Sequence, residues 1–138
     1  MSYESENKFD TNGAVVAIHG DVLDIRFQTE PPEINEMLEV GSIDALRVEV
    51  ASLLDGQTVR AIALGHTTGL TLGAPARRTG QPIEVPVGPA VLGRMLNMFG
   101  EPIDARGQLE AKTRWPIHRP PPPLSRRRVG SELFVTGI

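Results

Sequence analysis

From Gly13 onward the apolar positions fall into short runs, most with a period of two. Ala14 to His19 is an apolar run rich in β-branched residues, closed by Gly20-Asp21. Leu23, Ile25 and Phe27 then alternate with Asp24 and Arg26, the pattern of a strand with one buried face. Gly20-Asp21 between two such runs predicts a hairpin turn. Pro31-Pro32 breaks the pattern and opens a loop. Leu46, Val48 and Val50 alternate with Arg47 and Glu49, Asp55-Gly56 is a turn signal, and Val59 to Leu64 reads as another strand. Gly65, Gly69, Gly73 and Gly80 then punctuate the chain, with Leu70 and Leu72 the only firm apolar pair between them. Roughly five or six short strands and no convincing helix up to Gly80 predict a mainly β fold. A small antiparallel β-barrel over residues 13–80 satisfies this pattern, because closure leaves no exposed sheet edge.

The pattern changes near Gln81. Ile83, Val85 and Val87 alternate with Glu84 and Pro86, and the proline places this strand at a sheet edge. Pro89 stands where a first helical residue should, Gly100 just past a helix end, and Val91, Leu92, Met95, Leu96 and Phe99 recur at helical spacing. These predict one helix over about 89–99, closed by Gly100 in a left-handed conformation. Without a parallel sheet to cover it, the apolar stripe of that helix is expected to be exposed or loosely packed, which favours association. Residues 116–123 hold five prolines, four of them consecutive at Pro120 to Pro123, so this stretch is expected to be an extended polyproline strap. Arg126-Arg127-Arg128 follows, and Leu133 to Ile138 is an apolar segment that reads as cut rather than finished.

Composition narrows the chemistry. With no cysteine among 138 residues, disulfides and thiolate metal sites are excluded. No apolar run approaches the ~20 residues of a membrane span. Residues 1–12 are polar, acidic and without period, unlike a secretory signal, and are expected to be disordered. The net charge is −3, but residues 1–55 carry 12 acidic and 3 basic side chains, and residues 56–138 carry 5 acidic and 11 basic. A nucleic-acid face on the basic half is disfavoured, because Phe99, Trp115 and Phe134 are its only aromatics and are not interleaved with its cations. Neighbouring subunits meeting through opposite charges is the better reading.

Val85 to Gly107 reads VPVGPAVLGRMLNMFGEPIDARG. This segment resembles the opening of the nucleotide-binding domain in F-type ATP synthase beta subunits. The residues that carry the likeness are Val87-Gly88-Pro89, Leu92-Gly93-Arg94 and Gly100-Glu101-Pro102-Ile103-Asp104. Pro116-Ile117-His118 and the segment from Leu133 to Ile138 resemble further family stretches. Upstream, Val48-Glu49-Val50-Ala51 and Thr58 to Ala63 are similar to strands of the family's N-terminal barrel. The likeness runs from about Gly13 to Ile138. No single tripeptide in it is specific, but the ordered set is. The alpha subunit, the flagellar export ATPase and the transcription terminator share the architecture; Gly-Glu-Pro-Ile-Asp after an asparagine-containing segment looks more like beta. Thr68, Leu72, the proline run and the triple arginine depart from the usual family residues and mark a divergent branch.

The resemblance implies an α/β nucleotide-binding domain beginning at residue 81 and continuing past residue 138. It implies ATP or ADP with magnesium in the parent subunit, alpha subunits in a hetero-hexameric ring, a central stalk, and a peripheral place on the cytoplasmic face of the cell membrane. The coupling ion, proton or sodium, stays open. The family's phosphate loop, G-x-x-x-x-G-K-[ST], occurs nowhere in this chain. No catalytic, cofactor-binding or metal residue of the family therefore maps onto a position here, and the chain alone is expected to be inactive. The rival readings are a stand-alone barrel module for assembly and a fragment of another hexameric ATPase, such as an export ATPase.

Several residues invite sharper readings. His19, His66 and His118 lack partners at metal-ligand spacing. Glu84, Glu101 and Asp104 offer carboxylates for acid–base work, with solvated or capping roles the stronger reading. Gly88 to Gly93 mimics a phosphate loop, but it has no lysine and Pro89 removes a backbone donor. Pro120 to Pro123 fits a ligand for an aromatic groove or, more simply, a strap. Arg126 to Arg128 fits an anion site or a bridge to an acidic neighbour.

Overall fold

The computed structural model describes residues 13–42 and 45–127, with Gly130, Leu133 and Val135. The expectations for residues 1–12, for Arg128 and for most of Leu133 to Ile138 lie outside the described residues. Six antiparallel strands form a closed barrel: β1 (Gly13–His19), β2 (Val22–Phe27), β3 (Glu36–Val40), β4 (Leu46–Leu53), β5 (Thr58–Ala63) and β6 (Pro75–Pro82), in the order β1-β2-β5-β4-β3-β6. Closure between β6 and β1 rests on the pairs Gly13↔Ala76 and Ala14↔Pro75. Past the strand ends the seam continues through Val15 N–H donating to Ala74 O at 3.0 Å and Gly73 N–H to Val15 O at 2.8 Å. Gly13 is required there. A Cβ on it would sit 2.6 Å from the Phe27 ring.

The period-two residues point inward. Val15, Leu23, Ile25, Phe27, Leu38, Val40, Val48, Val50, Val59, Ala61 and Ala76 form one buried cluster. Most are β-branched or small, which suits the narrow bore of a six-stranded barrel. Register shifts at Val15/Ala17 in β1 and Val50/Ser52 in β4 bend the wall. The turn at Gly20-Asp21 joins β1 to β2 through the pair His19↔Val22, as the pattern predicts. Asp55 Oδ1 accepts from the Gln57 and Thr58 N–H groups at 2.8 and 2.7 Å and closes the β4–β5 turn.

Two strands lack a clear sequence signal. In β3, Glu36 occupies an inward position that the apolar pattern reserves for hydrophobic residues. In β6, Arg77, Arg78, Thr79, Gly80 and Gln81 give no apolar alternation at all. Partner strands hold these segments extended, β4 and β6 on either side of β3, and β3 along the polar part of β6.

Beyond the barrel, β7 (Glu84–Val87) pairs with β8 (Thr113–Pro116) in a two-stranded sheet. The edge position expected from Pro86 is observed. The helix expected over 89–99 is not. Pro89–Val91 makes a single 3-10 turn, and the chain then leaves the helical path at Leu92, ψ 130°, followed by Gly93 at φ 70°. The competing structure is a tight hairpin. Ile103 N–H donates to Met95 O at 2.9 Å, Asn97 N–H to Glu101 O at 2.9 Å, and Leu96 bridges Pro102. Asn97 Oδ1 accepts from the Phe99 and Glu101 N–H groups at 3.0 and 2.9 Å. Side-chain acceptors thus meet backbone donors that a helix would otherwise occupy. Gly100 does take the left-handed conformation, φ 75°, but it closes this turn instead of a helix.

Candidate functional site

Several charged side chains form ion pairs across strands, across the hairpin after the barrel, or between the barrel and the segment that follows it. Asp24 and Arg60 face each other in the β2–β5 register, joined by Arg60 Nε to Oδ1 at 2.8 Å and Nη2 to Oδ2 at 3.0 Å. The guanidinium holds the Asp24 carboxyl below its ordinary value against the opposing effect of burial. At one end of the barrel Glu36 points inward and takes a bidentate bond from Arg78, at 3.0 and 2.8 Å. Glu36 also accepts from the Gly80 and Glu33 N–H groups at 3.0 and 3.1 Å. Arg78 in turn donates to Glu30 O at 3.2 Å. This pair plugs the end of the bore, with Glu36 only 5% exposed.

The barrel meets the segment after it at Arg47. Its guanidinium lies 4.2 Å from the centroid of the Phe99 ring and donates to Glu101 Oε1 at 3.0 Å. Asn97 Nδ2 also donates to Glu101, at 2.7 Å, and the two together lower the Glu101 carboxyl. Arg114 Nη2 donates to the Glu84 and Phe99 carbonyls at 2.8 and 3.0 Å. Arg47, Glu84, Phe99, Glu101 and Arg114 border an open cleft of about 350 Å³. Nearby, Arg94 grips Asp104 at 2.7 and 3.1 Å, and Met95 and Arg106 N–H groups donate to the same carboxylate. Asp104 is driven strongly downward, mainly by the Arg94 bond. It is the clasp of the hairpin.

The residues singled out from the sequence are therefore not gathered into one constellation. Among the described residues no group of three or more His, Asp or Glu side chains is placed to hold a metal. His118 Nε2 lies 2.7 Å from Glu49 Oε1 on the barrel wall, while His19 ends β1 and His66 borders the loop near Leu46 and Gly69. Glu101 and Asp104 each bond to an arginine, and Glu84 lies on β7. Gly88 to Gly93 makes the 3-10 turn and presents no lysine. A magnesium nucleotide does not fit these residues: the loop lacks its cation, and Glu101 and Asp104 are engaged in ion pairs. The sequence reading missed Arg47, Arg94 and Arg78 as organising residues. Only register and loop closure bring them to their partners, 54, 10 and 42 positions away.

The described residues thus comprise a six-stranded closed barrel with several cross-strand ion pairs, followed by a small two-stranded sheet. Residues 15–80 match the family model described as ATP synthase alpha/beta family, beta-barrel domain, and the barrel belongs to that family. Beyond the barrel, the chain is similar to ATP synthase beta subunits along nearly its whole length. A protein named ATP synthase subunit beta 1 from Dinoroseobacter shibae is 49% identical over 126 residues, 91% of this chain and 27% of the relative. One named ATP synthase subunit beta 2 from Nitrosomonas eutropha is 49% identical over 126 residues, 91% of this chain and 25% of the relative. The chain thus spans about a quarter of the length of the curated relatives it matches.

Proposed function

We propose that the chain is the N-terminal part of the catalytic beta subunit of an ion-translocating rotary ATP synthase, and that its own work is assembly. The observation that carries this is the 49% identity to proteins named subunit beta across 91% of the chain. In this reading the barrel packs beside the barrels of alpha-type subunits and holds a ring together. ATP synthesis or hydrolysis, with ADP or ATP and magnesium, and the contact with a central stalk belong to parts of the parent protein other than these residues. The ring sits peripherally on the cytoplasmic face of the membrane. No helix among the described residues is long and apolar enough to cross a bilayer, which is compatible with attachment through other subunits.

Two measurements test the proposal. Co-expressed with the alpha-type subunit of the same organism, the tagged chain should co-purify in stoichiometric amount; its recovery alone would count against an assembly role. Titrated with MgATP in a calorimeter, the chain should give no saturable heat, and it should release no phosphate above background. A saturable isotherm would place a nucleotide site where none is proposed.

A further inference from the structure

The cations of this chain are treated in two different ways. Of the seven described arginines before residue 112, five bridge carboxylates: Arg47, Arg60, Arg77, Arg78 and Arg94. Residues 112–127 are different. They hold Lys112, Arg114, Arg119, Arg126 and Arg127 and not one Asp or Glu. Among the described residues none of these five cations bridges a carboxylate: Arg114 and Arg127 donate only to carbonyls, and Arg119 stacks on Trp115, 3.8 Å from the ring centroid. All five are exposed, and so is Trp115, at 47%.

This cationic stretch is also held in place. Its β8 end is paired to β7, Ile117 N–H donates to Ile83 O at 3.0 Å, and His118 is bonded to Glu49 of the barrel at 2.7 Å. Beyond these anchors Pro120 to Pro123 restrict the backbone, with Pro123 at φ −59° and ψ 151°. Little backbone ordering entropy remains to be lost on binding, so the cations are presented on a preformed strap. Guanidinium groups recognise carboxylates bidentately, and a planar arginine–tryptophan pair adds contact area.

We infer that the strap formed by residues 112–127 is a docking face for an acidic protein surface, carried by the neighbouring subunit of the ring. The inference rests on the assembly role proposed above. A protein partner is favoured over nucleic acid because the face has a single aromatic and that ring is already covered on one side by Arg119, leaving no series of stacking platforms. It is favoured over an anionic bilayer because the chain is net negative and, apart from Trp115, places no large aromatic on this face.

Lys112 and Arg126 make no side-chain hydrogen bond to the described residues, so reversing their charge leaves the internal bonds intact. The experiment measures binding of the chain to the alpha-type subunit at low and high salt, for the wild type and for Lys112→Glu/Arg126→Glu, with a thermal melt to verify folding. The expected result is an association rate lowered about tenfold at low salt, with a shallower salt dependence, at an unchanged melting temperature. Arg26→Glu, a reversal on the barrel wall, is expected to have a much smaller effect. Wild-type binding that the double variant matches in rate and salt slope overturns this inference alone. A wild type that does not bind overturns the assembly reading with it. Tighter binding to phosphatidylserine vesicles or to a single-stranded oligonucleotide than to the subunit overturns the choice of partner.

Discussion

Gly100 shows how a single position can be read correctly for an incomplete reason. Its place after an apolar segment predicts a left-handed backbone, and φ is 75°. An alanine there costs about 1 kcal/mol from the backbone alone. The fold adds a second penalty, because a Cβ would lie 2.0 Å from Pro86 Cδ, on the strand beneath. Gly100→Ala should therefore lower the urea midpoint by more than the backbone term, and Pro86→Ala in the same chain should recover part of the loss. A midpoint equal to wild type would mean that the hairpin does not pack on β7. Arg47 makes the complementary point: nothing in an alternating strand distinguishes it from Arg26, yet only Arg47 reaches Phe99 and Glu101.

Among the strands and turns, electrostatics decides more than apolar pattern. The pair of Glu36 on β3 with Arg78 on β6 replaces hydrophobic plugging at one barrel end. Glu36→Ala strands Arg78 beside a buried end and should cost about 3 kcal/mol in denaturant unfolding. Glu36→Met with Arg78→Met removes both charges and should be much milder than either single change. A cost for the double variant equal to the sum of the two single costs would show that the pair is not coupled. The same elements set the acid limit of the fold. Asp24 and Asp104 have carboxyls held low by Arg60 and Arg94. As the pH falls below about 5, the unfolded chain takes up protons that the native carboxylates resist, so stability present at neutral pH is lost progressively toward and below pH 4. Melting temperatures measured from pH 7 to pH 3 should fall more steeply for the wild type than for Asp24→Asn/Asp104→Asn, which is already less stable at pH 7.

For the chain taken entire, the exposed apolar side chains matter most. Leu92, Met95, Met98 and Ile103 are 78%, 63%, 57% and 59% exposed on the segment that follows the barrel. An apolar cluster of this kind favours association. Sedimentation of the 138-residue chain should show concentration-dependent self-association, reduced by Leu92→Lys/Met95→Lys. A monomer over a wide concentration range would show that the cluster is too dispersed to act as a surface. The expectation of exposed apolar residues holds here although the helix on which it was based does not form.

The alternation of Leu23, Ile25 and Phe27, of Leu46, Val48 and Val50, and the turn at Gly20-Asp21 were enough to recover a closed β domain from sequence. Each expresses local backbone geometry and burial of one face, and both are written in neighbouring residues. The ordered motifs from Val85 to Asp104 carried the resemblance to ATP synthase beta subunits, because their order and spacing are written in neighbouring residues. The polar strands β3 and β6 were not legible, because Glu36 and the run from Arg77 to Gln81 interrupt the apolar alternation, and β6 takes its ladder from β3 and β1, which are distant in sequence. The helix over 89–99 was misread for a related reason. Its apolar spacing is genuine, but Gly93 departs from helical φ, and Asn97 and Asp104 capture backbone donors across a hairpin. Helical periodicity measures the cost of solvent exposure along a chain; it does not count the side-chain hydrogen bonds that compete for the same backbone. Ion-pair choice, barrel closure and the anchoring of the cationic strap on Glu49 depend on residues brought together across tens of positions, and those only the folded chain decides.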